Sequence, residues 1–190
     1  MGPPEGAVSP QDADAAGHRL LAYRIDRVSG ALYPAFKNSD IHPGTAATGL
    51  GQPWRITACG DGLCLTDSGG EQYEEINRYT GQGLNFGFDD VEGESGSEDH
   101  VDPLHSWRGD DDAHVEEDRD GPGRRGLRRQ TTTSDVLTGQ LYGGRLAGWM
   151  LYSSLTDGWV RALQPDSEGD VHIATAPYIT SYAETSDGNI

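Results

Sequence analysis

The chain reads as mainly β: an antiparallel sandwich or small barrel-like sheets, with a long acidic polar insertion and little helix. Short runs that alternate apolar and polar side chains, each closed by Gly, Pro, Asp or Ser, occupy both ends of the sequence. The 27 glycines among 190 residues punctuate the chain too often for long helices. Regularly spaced helical patterns of the length a parallel α/β sheet requires do not occur.

Residues 1–17 are small, polar and rich in Pro and Gly, the composition of a flexible N-terminal arm. A strand-rich front part is expected over residues 18–88. Leu20 to Val28 alternates as a strand, and Ser29-Gly30 turns it into a return strand from Ala31 to Phe36 that Pro34 confines to an edge or ends. Asn38 to Gln52 carries too many turn residues for an element. Trp54 to Cys59 and Cys64 to Thr66 flank Gly60-Asp61-Gly62-Leu63, a hairpin with an Asp-Gly signal at its tip. Cys59 and Cys64 then face each other as a disulfide candidate; free core thiols and half of a metal site are the alternatives. Ser68 to Arg78 holds the one helical signal of this part, with Ser68 and Glu71 as a capping pair. Glu71, Glu74 and Glu75 then share a solvated helical face. Gly81 to Phe88 has a glycine-rich look without the Lys-Ser/Thr of a phosphate loop, so Phe86 and Phe88 are expected to anchor a short strand.

Residues 89–133 form an acidic and then arginine-rich connector. Residues 89–120 hold fourteen Asp and Glu against two Arg, a net of −12, and bury too little apolar surface to order themselves. Its oxygen ligands lack the spacing of a calcium loop, and His100, His105 and His114 lack that of a zinc site. Trp107 stands in this stretch as an anchor for a neighbouring chain, with packing back onto its own domain as the alternative, and Arg124, Arg125, Arg128 and Arg129 supply charge complementarity to an acidic protein surface.

The back part, residues 134–190, is antiparallel β. Its expected strands are Leu141–Ser153, Gly158–Leu163, Asp170–Thr175 and Tyr178–Tyr182. Trp149 and Leu151 fall on one face and Met150 and Tyr152 on the other, which marks a strand buried on both sides.

A formal charge of −17, with one lysine (Lys37) against thirteen arginines, repels nucleic acid and anionic membranes, so neither partner is expected. The acidic, lysine-poor composition fits a halophilic source, and a GC-rich genome would leave the same mark. No apolar run reaches spanning length and no secretory leader pattern opens the chain, so membrane insertion and signal-directed secretion are not expected. Gly-x-Ser-x-Gly, His-Glu-x-x-His and Walker patterns are absent, which removes the familiar enzyme signatures. No metal and no cofactor are assigned, and no catalysis is expected.

In style, the strand-rich ends, polar insertion, N-terminal arm and acidic surface resemble virion components such as capsid-decoration, tail or fibre-base proteins. The resemblance implies a noncatalytic, multi-copy assembly protein whose partners are subunits of the same particle, located in the virion or another large assembly and otherwise in the cytoplasm. A ligand- or glycan-binding β module is the alternative, with a hydrolase behind it.

Overall fold

In a computed structural model, the described residues are 16–37, 42–68, 72–108, 131–137, 142–155, 157–167, 169–187 and 190. The chain is mainly β, with several antiparallel sheets, and among the described residues its only helical pieces are two three-residue 3-10 segments. Four strands, β1 (Leu20–Leu21), β2 (Tyr23–Ile25), β3 (Leu32–Pro34) and β4 (Thr45–Thr48), open it. The front sheet is built from β5 (Gln52–Cys59), β6 (Gly62–Ser68), β7 (Tyr73–Tyr79) and, after the short β8 (Leu84–Asn85), β9 (His105–Arg108). The back sheet takes β10 (Thr131–Val136), β11 (Met150–Ser154), β12 (Trp159–Leu163) and β13 (Asp170–Thr175).

Each of these two sheets is a four-stranded antiparallel meander in chain order, β5-β6-β7-β9 and β10-β11-β12-β13. They share one core. Cys59, Cys64 and Ile76 of the front sheet pack against Met150, Tyr152, Trp159 and Leu163 of the back sheet, with Leu104 and Trp107 at the margin. Leu151 and Ala162 face the other way, onto Leu137, Trp149 and Tyr182. Strand β11 is therefore buried on both faces, as its apolar residues on alternate positions require. A second core, Ala47, Leu50, Leu65 and Phe86, binds the small β1-β4-β8 sheet to the front meander.

Several elements depart from the sequence reading. Residues 45–48, given no element, form β4, which pairs antiparallel with β1 and parallel with β8. The helical expectation over Ser68 to Arg78 is corrected: Tyr73–Tyr79 is a strand between β6 and β9, and ladder pairing on both edges outweighs a weak capping signal. Glu74 and Glu75 are consequently buried rather than solvated, while Glu71 lies outside the described residues. His105–Arg108, assigned by charge to the connector, completes the front sheet; Leu104, His105 and Trp107 supply the island of packing surface that its acidic average conceals. The β2–β3 hairpin turns at residues 27–30 and leaves Tyr23, Ile25, Leu32 and Tyr33 exposed. Tyr178–Tyr182 forms no strand.

Cys59 and Cys64 are joined by a disulfide with Cα atoms 5.4 Å apart. They sit diagonally in the ladder, because Cys59 pairs with Gly62 and Cys64 with Thr57.

Candidate functional site

Two polar constellations lie where the front and back meanders meet. The first links three side chains by hydrogen bonds that cross from one sheet to the other. Strand β9 contributes His105, whose Nε2 lies 2.9 Å from the Tyr152 hydroxyl on β11, and that hydroxyl donates to Asp170 Oδ1 at 2.9 Å. Asp170, at the start of β13, is also gripped by Arg161 of β12, with Nε at 3.1 Å and a second guanidinium nitrogen at 2.6 Å. Register explains the convergence: Tyr152 pairs with Arg161 and Arg161 with His172, next to the Asp170–Leu163 pair at the strand end.

A tyrosine hydroxyl has one proton. With that proton given to Asp170, the 2.9 Å contact requires His105 Nε2 to carry a hydrogen, and Nδ1 is then the basic nitrogen of the neutral ring. Arg161 meets the Asp170 carboxylate through two charge-assisted hydrogen bonds, one to each oxygen. Trp107 and Trp159 wall the group, their rings 5.7 Å apart and edge-on, with Tyr152 5.3 Å from each. His105 and Asp170 retain 23% and 17% of their side-chain exposure, so the relay is reachable from solvent at its edge.

The second constellation is an open groove of about 330 Å³ lined by Trp54, Arg55, Ile56 and Thr57 of β5, Thr133 of β10 and Tyr182 of the C-terminal segment. A bulge makes its aromatic wall. Pro53 pairs with Asp67 and Arg55 with Thr66, so Trp54 is the extra residue and stands out half-exposed. Buried Asp67 holds the loop leading into this strand, accepting the Gly51 and Gln52 amide hydrogens at 2.7 and 2.5 Å. Burial nevertheless pushes its carboxyl up to about 7, against the pull of those two donors. Burial likewise raises Glu75, which accepts from the Gly93 amide at 2.6 Å and from Asn77 at 3.1 Å.

Trp107, expected to anchor a neighbouring chain, instead packs inside its own molecule between His105, Tyr152 and Trp159. Arg124, Arg125, Arg128 and Arg129, and the acids Asp110, Asp111, Asp112, Glu116, Glu117 and Asp118, lie outside the described residues, as does His114. Sequence reasoning placed His105 in a solvated loop and passed over Tyr152, Arg161, Asp170, Trp54 and Arg55 as site residues. The usable signals were the apolar island around His105 and the Pro53-Trp54 break at the start of a hairpin.

No protein-family model matches the chain, and no curated protein matches it in sequence. Solved structures do match its fold. A glucose dehydrogenase superposes with a TM-score of 0.66 at 16% identity, over 94% of this chain and 52% of that one. The PQQ-bound form of aldose sugar dehydrogenase from Streptomyces coelicolor gives 0.59 at 14% identity, over 90% and 44%. The soluble aldose sugar dehydrogenase of Escherichia coli in its apo-form gives 0.56 at 15%, over 82% and 45%. The chain thus spans about half the length of the structures it matches.

These likenesses correct the expectation of a noncatalytic particle subunit, together with its virion location and its commitment to protein subunits as partners. The physical reason is plain: strand-rich ends, a polar insertion and acidic charge are properties of a surface and a solvent, and any meander of antiparallel sheets can carry them. The missing motifs belong to a few familiar enzyme classes and carry no information about other catalysis.

Proposed function

We propose that this chain forms part of a sugar-oxidising dehydrogenase built as a β-propeller, the front and back meanders being consecutive blades. Two four-stranded antiparallel sheets that follow one another in sequence and share a core have the blade pattern. The observation that carries the reading is the fold likeness to dehydrogenases over more than four-fifths of the chain. Oxidation of an aldose at its anomeric carbon removes a hydroxyl proton and a hydride, leaving a lactone, and passes two electrons to an acceptor. His105, oriented by Tyr152 and Asp170, is the group offered for the proton.

PQQ is a planar quinone with three carboxylates, and holding it calls for several cations around one flat slot. Among the described residues the groove supplies a single guanidinium, Arg55, and the relay's Arg161 is committed to Asp170. These residues do not fit that cofactor, and no step is assigned to it. The reading is tested by supplying purified protein with aldoses and a redox dye, with and without added PQQ. Aldose-dependent dye reduction is expected, and His105→Gln should lower it about 100-fold while flattening its pH profile. A folded protein that oxidises no aldose under either condition overturns the proposal.

A further inference from the structure

We infer that the groove between β5, β10 and the C-terminal segment is a binding site for a small polyhydroxylated carboxylic acid, of the sugar-acid class. Its volume of about 330 Å³ suits one small molecule. Its chemistry is selective. In a chain of net charge −17, no acidic side chain lines it among the described residues, and Arg55 stands in its wall. Arg55 is already steered by a 2.8 Å hydrogen bond from its guanidinium to Ser181 Oγ in the segment that also brings Tyr182.

Two buried hydroxyls give the second, independent observation. Thr133 is 1% exposed, it lines the groove, and its Oγ1 has no protein partner. Tyr182 lines the groove too, and its buried hydroxyl finds no partner at full hydrogen-bond geometry; burial raises its pKa, and the nearby Ser153 hydroxyl pulls it only partly back. Buried hydroxyls without partners are costly, so a ligand that brings its own hydroxyl groups recovers what the protein leaves unmet. Half-exposed Trp54 offers a flat apolar face beside them.

The ligand's charge follows from the cation count. One guanidinium pairs a carboxylate in a fork of two hydrogen bonds and balances one negative charge. A phosphate monoester carries nearly two negative charges at neutral pH, and among the described residues the lining holds no second cation to meet it.

The full chain would be titrated with gluconate and galacturonate, by calorimetry and tryptophan fluorescence, against glucose, glucose 6-phosphate and acetate. Expected are saturable binding of the sugar acids, at least about tenfold tighter than glucose or acetate, and a loss of about tenfold in Arg55→Gln. Thr133→Val should weaken the sugar acids several-fold, which keeps the test alive if the arginine variant does not fold. Equal affinity for glucose, tighter binding of glucose 6-phosphate, or unchanged affinity in both folded variants overturns the inference, as does absence of binding. Because binding is read without turnover, failure here leaves the dehydrogenase reading standing, and absence of dye reduction leaves this one.

Discussion

At the scale of single residues, buried carboxylates determine the pH response. Asp67 has an ordinary carboxyl in the unfolded chain and one raised to about 7 in the fold. Between those values the folded protein keeps a proton that the unfolded chain has released. Stability therefore falls as pH rises from about 4 to about 7 through this group, with a slope on the order of 1 kcal/mol per pH unit, and levels off on either side. Glu75, raised by its own burial, adds a slope of the same sign. Asp26 and Asp102 act oppositely, because backbone amides lower both, so their contribution is lost on acidification. Denaturant melts at pH 4, 5.5 and 7 should show a shallower decline in Asp67→Asn than in the wild type, and an unchanged slope would refute this assignment. None of this was legible in the sequence, where Asp67 is one acid among 31.

Among the elements, the β5–β6 hairpin is the most locally encoded. Its Gly60-Asp61 turn, its flanking β-formers and its two cysteines all sit within a few residues of one another, so the sequence specified it closely. The disulfide closes a short loop, and its loss in Cys59→Ala/Cys64→Ala should cost about 2 kcal/mol by chain entropy. Thermal unfolding of wild type with and without reductant checks this; a double variant as stable as the oxidised protein would show that the bond contributes nothing. Strand β7 is the contrasting case. Tyr73-Glu74-Glu75-Ile76 looks amphipathic at helical spacing, and only pairing with Thr66 on one side and His105 on the other makes Ile76 a buried strand residue.

For the whole molecule, the charge of −17 acts as self-repulsion that the folded state concentrates. Raising salt from about 0.01 M to about 1 M shortens the Debye length from about 30 Å to about 3 Å, so the melting temperature should climb with salt. A melting temperature independent of salt would show that opposite charges already cancel locally. The open edges of this β assembly are apolar as well: Val171 and Ile173 of β13 and the β2–β3 hairpin stand exposed. Among the described residues no helix is long and apolar enough to cross a membrane.

What the sequence determined by itself was the β character, the hairpin at Cys59–Cys64, the two-sided burial of β11 and the boundaries of β13, because each depends on alternation or turn chemistry within a few neighbours. Tertiary structure decided β4, β7, β9 and β10, whose partners lie far along the chain. It alone assembled His105 with Tyr152 and Asp170 across 65 residues, and Arg55 with Thr133 and Tyr182 across 127. Such convergence comes from sheet stacking, and the contact that brings two distant side chains together leaves no periodicity in either segment to announce it.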